Sequence, residues 1–139
     1  MKTAYIKYLG ELRTAATHIR SGNEIITDAP LDNHGKGEAF SPTDLLSSAL
    51  VSCMMTVIGI MAEAHGINVS GMEGDSLKIM GTEPRRITGI EVRLSFPRAY
   101  SEHDRVLIER TARTCPVAMS LHPDLKQEIT FVYGKQPLS

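Results

Sequence analysis

Apolar positions recur along this chain with two different periods, and the places where the period changes divide it into elements. Residues 3–19 carry many strand formers and few breakers apart from Gly10. Ser21-Gly22-Asn23 is a turn signal, and Ile25-Ile26-Thr27 follows as a second strand, which predicts an N-terminal hairpin with Arg20 at its tip. Residues 28–40 read as loop, with Pro30, Asp32, Asn33, Gly35 and Gly37. The period then becomes helical. Leu45, Leu46, Ala49, Leu50, Cys53, Met54, Val57, Ile58 and Met61 recur in steps of three and four, while Ser47, Ser48, Ser52, Thr56 and Glu63 lie off that stripe. Ser41 can cap the free amides, Pro42 suits the first helical position, and Asp44 complements the positive helix end. Gly66 after His65 stops the helix, so a long and mostly buried helix of about 24 residues is expected.

The second half returns to strand spacing. Ser76–Met80 reads as a strand and Gly81–Arg86 as a turn containing Pro84. Ile90, Val92, Leu94 and Phe96 then alternate with Glu91, Arg93 and Ser95, and Pro97 ends the run. Ser101 caps a helix from Glu102 with Val106, Leu107, Ile108 and Ala112 facing inward. Cys115-Pro116 interrupts it and opens a short helix with Pro116 as its first residue. Ile129, Phe131 and Tyr133 alternate in a last strand. Strands, long helix, strands, helix, strand make an α+β fold with mostly antiparallel sheet, expected as one domain over residues 1–139. The long helix has an apolar face that needs cover on more than one side, and a homodimer would supply it.

Composition narrows the function classes. The chain is 42% hydrophobic and 22% charged with net charge -1, so no field of one sign recruits nucleic acid or an anionic membrane. Aromatics are 5%, there is no Trp, and seven Met share the core with aliphatic residues. Polar residues interrupt the N-terminus too soon for a signal peptide, and the apolar stretch over residues 49–62 is shorter than the ~20 needed to span a bilayer. A cytoplasmic protein without a membrane segment is expected. His18, His34, His65, His103 and His122 are scattered without metal-ligand spacing, so neither metal nor cofactor is expected.

The remaining chemistry lies in two cysteines 62 residues apart, a separation that leaves any pairing to the fold. In a reducing compartment a transient catalytic disulfide is the form such a pair would take. Cys53 alone reads equally as a small core residue. Cys115 lies just ahead of the amides of a new helix, which stabilise a thiolate and lower its pKa. Two thiols, a cation to hold one of them ionised and an acid to orient that cation suffice to reduce a peroxide.

The segment Phe40-Ser41-Pro42-Thr43-Asp44-Leu45-Leu46-Ser47-Ser48-Ala49-Leu50-Val51-Ser52-Cys53 resembles the OsmC/Ohr family (osmotically inducible and organic hydroperoxide resistance proteins). It looks like that family's Pro-x-x-Leu helix start with the reactive Cys eleven positions after Pro. Thr114-Cys115-Pro116-Val117-Ala118-Met119-Ser120-Leu121 is similar to its Cys-Pro-hydrophobic element. The resemblance covers nearly the whole chain and implies an intertwined homodimer with long central helices flanked by mostly antiparallel sheet. It further implies a cysteine-based thiol peroxidase for organic hydroperoxides in oxidative stress defence, with Cys53 as peroxidatic nucleophile and Cys115 as resolving thiol. A dithiol such as a lipoyl protein would be the reductant. The family also uses an arginine of the N-terminal hairpin, here Arg20, with Arg13 in reserve. Organic hydroperoxide reductases carry a Glu directly after the helix-start Pro to hold that arginine. This chain has Thr43 there, which leaves Glu38 and Asp44 as possible supporting acids. The alternative is a non-catalytic dimer that binds a small hydrophobic ligand, with the cysteines as a relic or a redox sensor. For that ligand, as for an organic hydroperoxide, a pocket lined by Met54, Met55, Met61 and Phe40 is expected.

Overall fold

The computed structural model describes residues 1–134. Its elements run β1 (Ala4–Gly10), β2 (Arg13–His18), β3 (Glu24–Asp28), α1 (Pro42–His65), β4 (Glu73–Gly81), β5 (Arg86–Phe96), α2 (Glu102–Arg113), α3 (Pro116–Ser120) and β6 (Lys126–Tyr133). The fold is α+β, as the order of elements predicts. The chain forms two compact units, Met1–Leu46 and the part from Ser47 onward.

The first unit holds a three-stranded antiparallel sheet in the order β1-β2-β3. Residues 3–19 are therefore two strands rather than one. They turn at Glu11-Leu12, where both residues have positive φ, 54° and 64°. Two consecutive left-handed residues match the twist of a tight hairpin, but Asn and Gly are the usual occupants. A Glu-Leu pair gives no turn signal, and this explains why the pattern alone reads as continuous. After β3, residues 29–40 form a loop with one 3-10 turn at Leu31–Asn33. Gly35 is required there by close approach: a Cβ on it would lie 1.8 Å from the Ala29 carbonyl oxygen.

α1 starts as the sequence predicts. The Ser41 Oγ accepts from the Asp44 amide at 3.0 Å, and the Asp44 carboxylate accepts from the Ser41 amide at 3.0 Å. This reciprocal pair satisfies two backbone donors that no helical carbonyl reaches. Gly66, at φ 66°, ends the helix.

In the second unit β4 and β5 pair antiparallel and β5 and β6 pair parallel. The core combines Leu50, Met54, Ile58 and Ala62 of α1 with Ile90, Val92, Leu94 and Phe96 of β5 and Ile108 and Ala112 of α2. The buried face of α1 is rotated from the expected stripe. Ser47, Val51 and Ala62 are buried while Ala49 is exposed. Two contacts account for the rotation. Ser47 shares a hydrogen bond with Ser76 of β4, and Gly74 of β4 lets Val51 approach so closely that a Cβ would sit 2.7 Å from it. Val106, expected to face inward on α2, is 47% exposed.

By length and composition α1 is apolar enough to cross a membrane, with an 18-residue window of mean hydropathy 2.1. The shorter stretch read from the sequence counted Ser52, Thr56 and Gly59 as interruptions, and averaging over a full window removes them. A core helix of a soluble protein passes the same test. The buried positions Ser47, Leu50, Val51, Met54, Ile58 and Ala62 follow helical spacing on one side, the pattern of a helix laid on a sheet.

Candidate active site

Cys53 lies about three turns into α1 and is half-buried. Cys115 is the residue at which α2 has ended and α3 begins. Its backbone is extended, at φ -64° and ψ 152°, and it is 1% exposed. That conformation directs Sγ back over the first turn of α3, where it accepts from the Ala118 amide at 3.3 Å. Pro116 follows as the first helical residue, at a position where a missing N–H costs nothing. Both cysteines are free thiols.

The Cys115 thiol titrates above its ordinary value of 9.0. Burial is the largest cause. The Ala118 amide pulls the other way, and the neighbouring Cys53, through hydrogen bonding and charge, raises it again. The amides ahead of Cys115 do favour a thiolate, as expected, but five residues of helix do not outweigh desolvation at 1% exposure. Cys115 is therefore held as a thiol next to Cys53.

In the N-terminal unit the structure brings together three of the charged residues that surround the expected hairpin. Arg13 donates through Nε and Nη2 to the two carboxylate oxygens of Asp28, both at 2.8 Å, and through Nη2 to Glu38 at 3.1 Å. Asp28 also accepts from the Glu38 amide at 3.1 Å. Arg13 holds the Asp28 carboxyl below its usual range, and the two acids raise the guanidinium further still. Arg20 lies in the β2–β3 turn, exposed, with no hydrogen bond or ion pair to another described residue. Asp44 is occupied at the start of α1, and Thr43 hydrogen-bonds the Ser41 hydroxyl at 3.2 Å.

Asp28 is the site residue that sequence reasoning missed, because it was read as the first residue of a loop. The signal was strand register. Arg13 and Asp28 are direct partners in the β2–β3 ladder, and that register depends on the hidden Glu11-Leu12 turn.

A cavity of about 540 Å³ opens between α1 and β4 in the second unit, lined by Ser48, Val51, Ser52, Met55, Thr56, Gly74, Asp75 and Ser76, and Cys53 is not part of its lining. Of the residues expected to line a pocket, Met55 does so. Met54 is fully buried in the core and Phe40 is exposed in the first unit. Among the described residues no group of three or more His, Cys, Asp or Glu side chains is placed to hold a metal ion.

A buried thiol capping a short helix next to a second thiol on a long core helix defines a small α+β protein with a dithiol centre. The family model described as OsmC-like protein matches residues 35–130, and this chain belongs to that family. Among solved structures, a protein from Psychrobacter arcticus 273-4 assigned to osmotic stress induction and the detoxification response is 46% identical. The alignment covers 94% of this chain and 96% of that one, with a TM-score of 0.91. An OsmC-like protein from Mycoplasma pneumoniae, 18% identical over 96% of this chain and 98% of its own, shares the fold at a TM-score of 0.81. So does an organic hydroperoxide resistance protein OsmC from Legionella pneumophila, 14% identical over 95% and 98%, at a TM-score of 0.76. No curated protein sequence matches the chain.

Proposed function

We propose that this protein is a thiol peroxidase that reduces organic hydroperoxides in oxidative stress defence. The observation that carries the reading is the pair of free thiols, one half-buried on α1 and the other buried at the start of α3, close enough that Cys53 contributes to the raised pKa of Cys115. The Cys53 thiolate attacks the distal peroxide oxygen. The O–O bond breaks, the alcohol leaves after taking a proton, and Cys53 becomes a sulfenic acid. The Cys115 thiol then attacks the oxidised sulfur, releasing water and closing a Cys53–Cys115 disulfide. A dithiol, such as a lipoyl group on a partner protein, returns both sulfurs to thiols. No metal or organic cofactor takes part.

The burial of Cys115 supports this division of roles, because the attacking sulfur must be ionised and reachable while the resolving one need only be near. The reaction also calls for a cation that stabilises the thiolate and the charge that develops on the leaving oxygen. A homodimer completes the protein and covers the exposed side of α1, where Ile60 is 65% exposed. The expected location is cytoplasmic, where dithiol reductants persist.

The test is consumption of cumene hydroperoxide by the reduced protein. Cys53→Ser abolishes it, and one equivalent of peroxide removes two hydrogens from the wild-type mass. Wild-type activity in Cys53→Ser would sink the assignment. The cavity between α1 and β4 favours a second reading, a ligand-binding protein, for which peroxide would leave the cysteines unpaired while a small ligand raised the melting temperature.

A further inference from the structure

We infer that the reductant attacks the sulfur of Cys53 and that Cys115 is the sulfur that leaves, so that the incoming thiol bonds transiently to Cys53 alone; the inference rests on the thiol-peroxidase reading. An external thiolate attacks the Cys53 sulfur of the disulfide, the Cys53–Cys115 bond breaks, and its electron pair stays on Cys115. The products are a mixed disulfide at Cys53 and a thiolate at Cys115, which then takes up a proton. A second reductant thiol releases Cys53 and leaves as part of the reductant's own disulfide.

Two effects oppose each other in the choice of sulfur. Acidity favours attack on Cys115, because the better leaving sulfur has the lower pKa and burial raises that of Cys115. At the sensitivity usual in thiol exchange, each pKa unit changes the rate only about threefold. Access favours attack on Cys53. Cys115 is 1% exposed within its own subunit, and a second subunit only adds cover. Cys53 is half-buried and is the sulfur that must admit the peroxide.

Cys115 is also tied at three atoms. Its amide donates to the Ala112 carbonyl at 3.4 Å, its carbonyl accepts from the Met119 amide at 3.0 Å, and its Sγ accepts from the Ala118 amide at 3.3 Å. Turning the sulfur outward breaks these bonds together. At the usual net strength of such bonds, the outward form is on the order of a hundredfold rarer than the native one. Access therefore outweighs acidity. The Ala118 amide works in the same direction, because it faces the sulfur on which the leaving charge collects, and a hydrogen bond to a charged acceptor is the stronger one.

The experiment uses the wild-type protein, oxidised with one equivalent of cumene hydroperoxide and then mixed with β-mercaptoethanol, a probe small enough to reach any open sulfur. Samples are quenched in acid at successive times and digested with pepsin, since acid halts further exchange, and the adduct is located by peptide mass spectrometry. A parallel series is run in urea, where the fold shields neither sulfur. In the earliest folded samples the adduct on Cys53 is expected to exceed that on Cys115 about tenfold or more, falling to near parity in urea.

An excess on Cys53 no greater in the folded protein than in urea overturns the inference. So does more adduct on Cys115 than on Cys53, or loss of the disulfide without any adduct on Cys53. Each of these results leaves the peroxidase reading standing, because the disulfide has formed. If hydroperoxide leaves both cysteines as thiols, the reading and the inference fall together.

Discussion

The Sγ of Cys115 accepts a hydrogen bond from the backbone amide of Ala118, so one thiol both caps a helix and serves as half of the dithiol centre. The two tasks separate under substitution. Cys115→Ser keeps an acceptor at the cap, and Cys115→Ala removes it. Loss of a cap costs about 1 kcal/mol. Cys115→Ala is therefore expected to be less stable than Cys115→Ser by roughly that amount in urea unfolding, although neither variant can form the disulfide.

Reagents should distinguish the two thiols. Cys115 is buried and its pKa is raised, so its thiolate is scarce at neutral pH, whereas Cys53 is half-buried. Limited iodoacetamide at pH 7–8 is expected to label Cys53 first, with peptide mass spectrometry as the readout. Faster labelling of Cys115 would reverse the roles assigned to the two sulfurs.

Acid should weaken the N-terminal unit in a defined window. Asp28 has its pKa lowered from 3.8, chiefly by hydrogen bonding to Arg13. A carboxyl depressed in the folded state contributes stability that is fully present above its unfolded pKa. That contribution is lost as pH falls through the lower folded value. Unfolding midpoints measured across the acid range should fall more steeply for wild type than for Asp28→Asn, and parallel curves would refute the linkage.

Two glycines should not tolerate even a methyl group. In Gly74→Ala the new Cβ meets Val51 at 2.7 Å and Leu94 at 3.0 Å, both packed in the core. Overpacking of this kind costs about 1–3 kcal/mol. In Gly35→Ala the obstruction is backbone, the Ala29 carbonyl, and backbone cannot rotate aside. That variant is expected to rearrange the 29–40 loop and to lose the Glu38 contact with Arg13, which cross-peaks of the Arg13 side chain in NMR spectra would reveal.

Core truncation should show where stability resides. Ile58→Ala, at 0% exposure, is expected to cost about 2–5 kcal/mol, whereas Ile60→Ala, 65% exposed, should cost far less within one subunit. A large loss of stability at position 60 that depends on protein concentration would identify that side of α1 as an interface between copies.

Much of the fold was legible in the chain because its signals are local. Ser41, Pro42 and Asp44 announce α1, Gly66 closes it, and the alternation from Ile90 to Phe96 gives β5 its buried face. The two cysteines were legible for the same reason, each marked by its helix. The features that escaped are those set by partners distant in sequence. The Glu11-Leu12 turn is held in left-handed geometry with no residue that favours it, and Asp28 acquires its meaning only from Arg13, fifteen residues earlier. The rotation of α1 depends on Gly74 and Ser76, which a helical wheel cannot include.

The N-terminal sheet has little inside it. Tyr5, Ile6, Tyr8, Leu9, Leu12 and Ile25 are all more than 40% exposed, and the buried residues of that unit are Ala15, Thr27, Asp28 and Ser41. Three strands with so small an interior do not hold a shape in water by themselves. A fragment ending at Leu46 should therefore be a collapsed, adhesive coil, and the Arg13–Asp28 pair would dissolve with it.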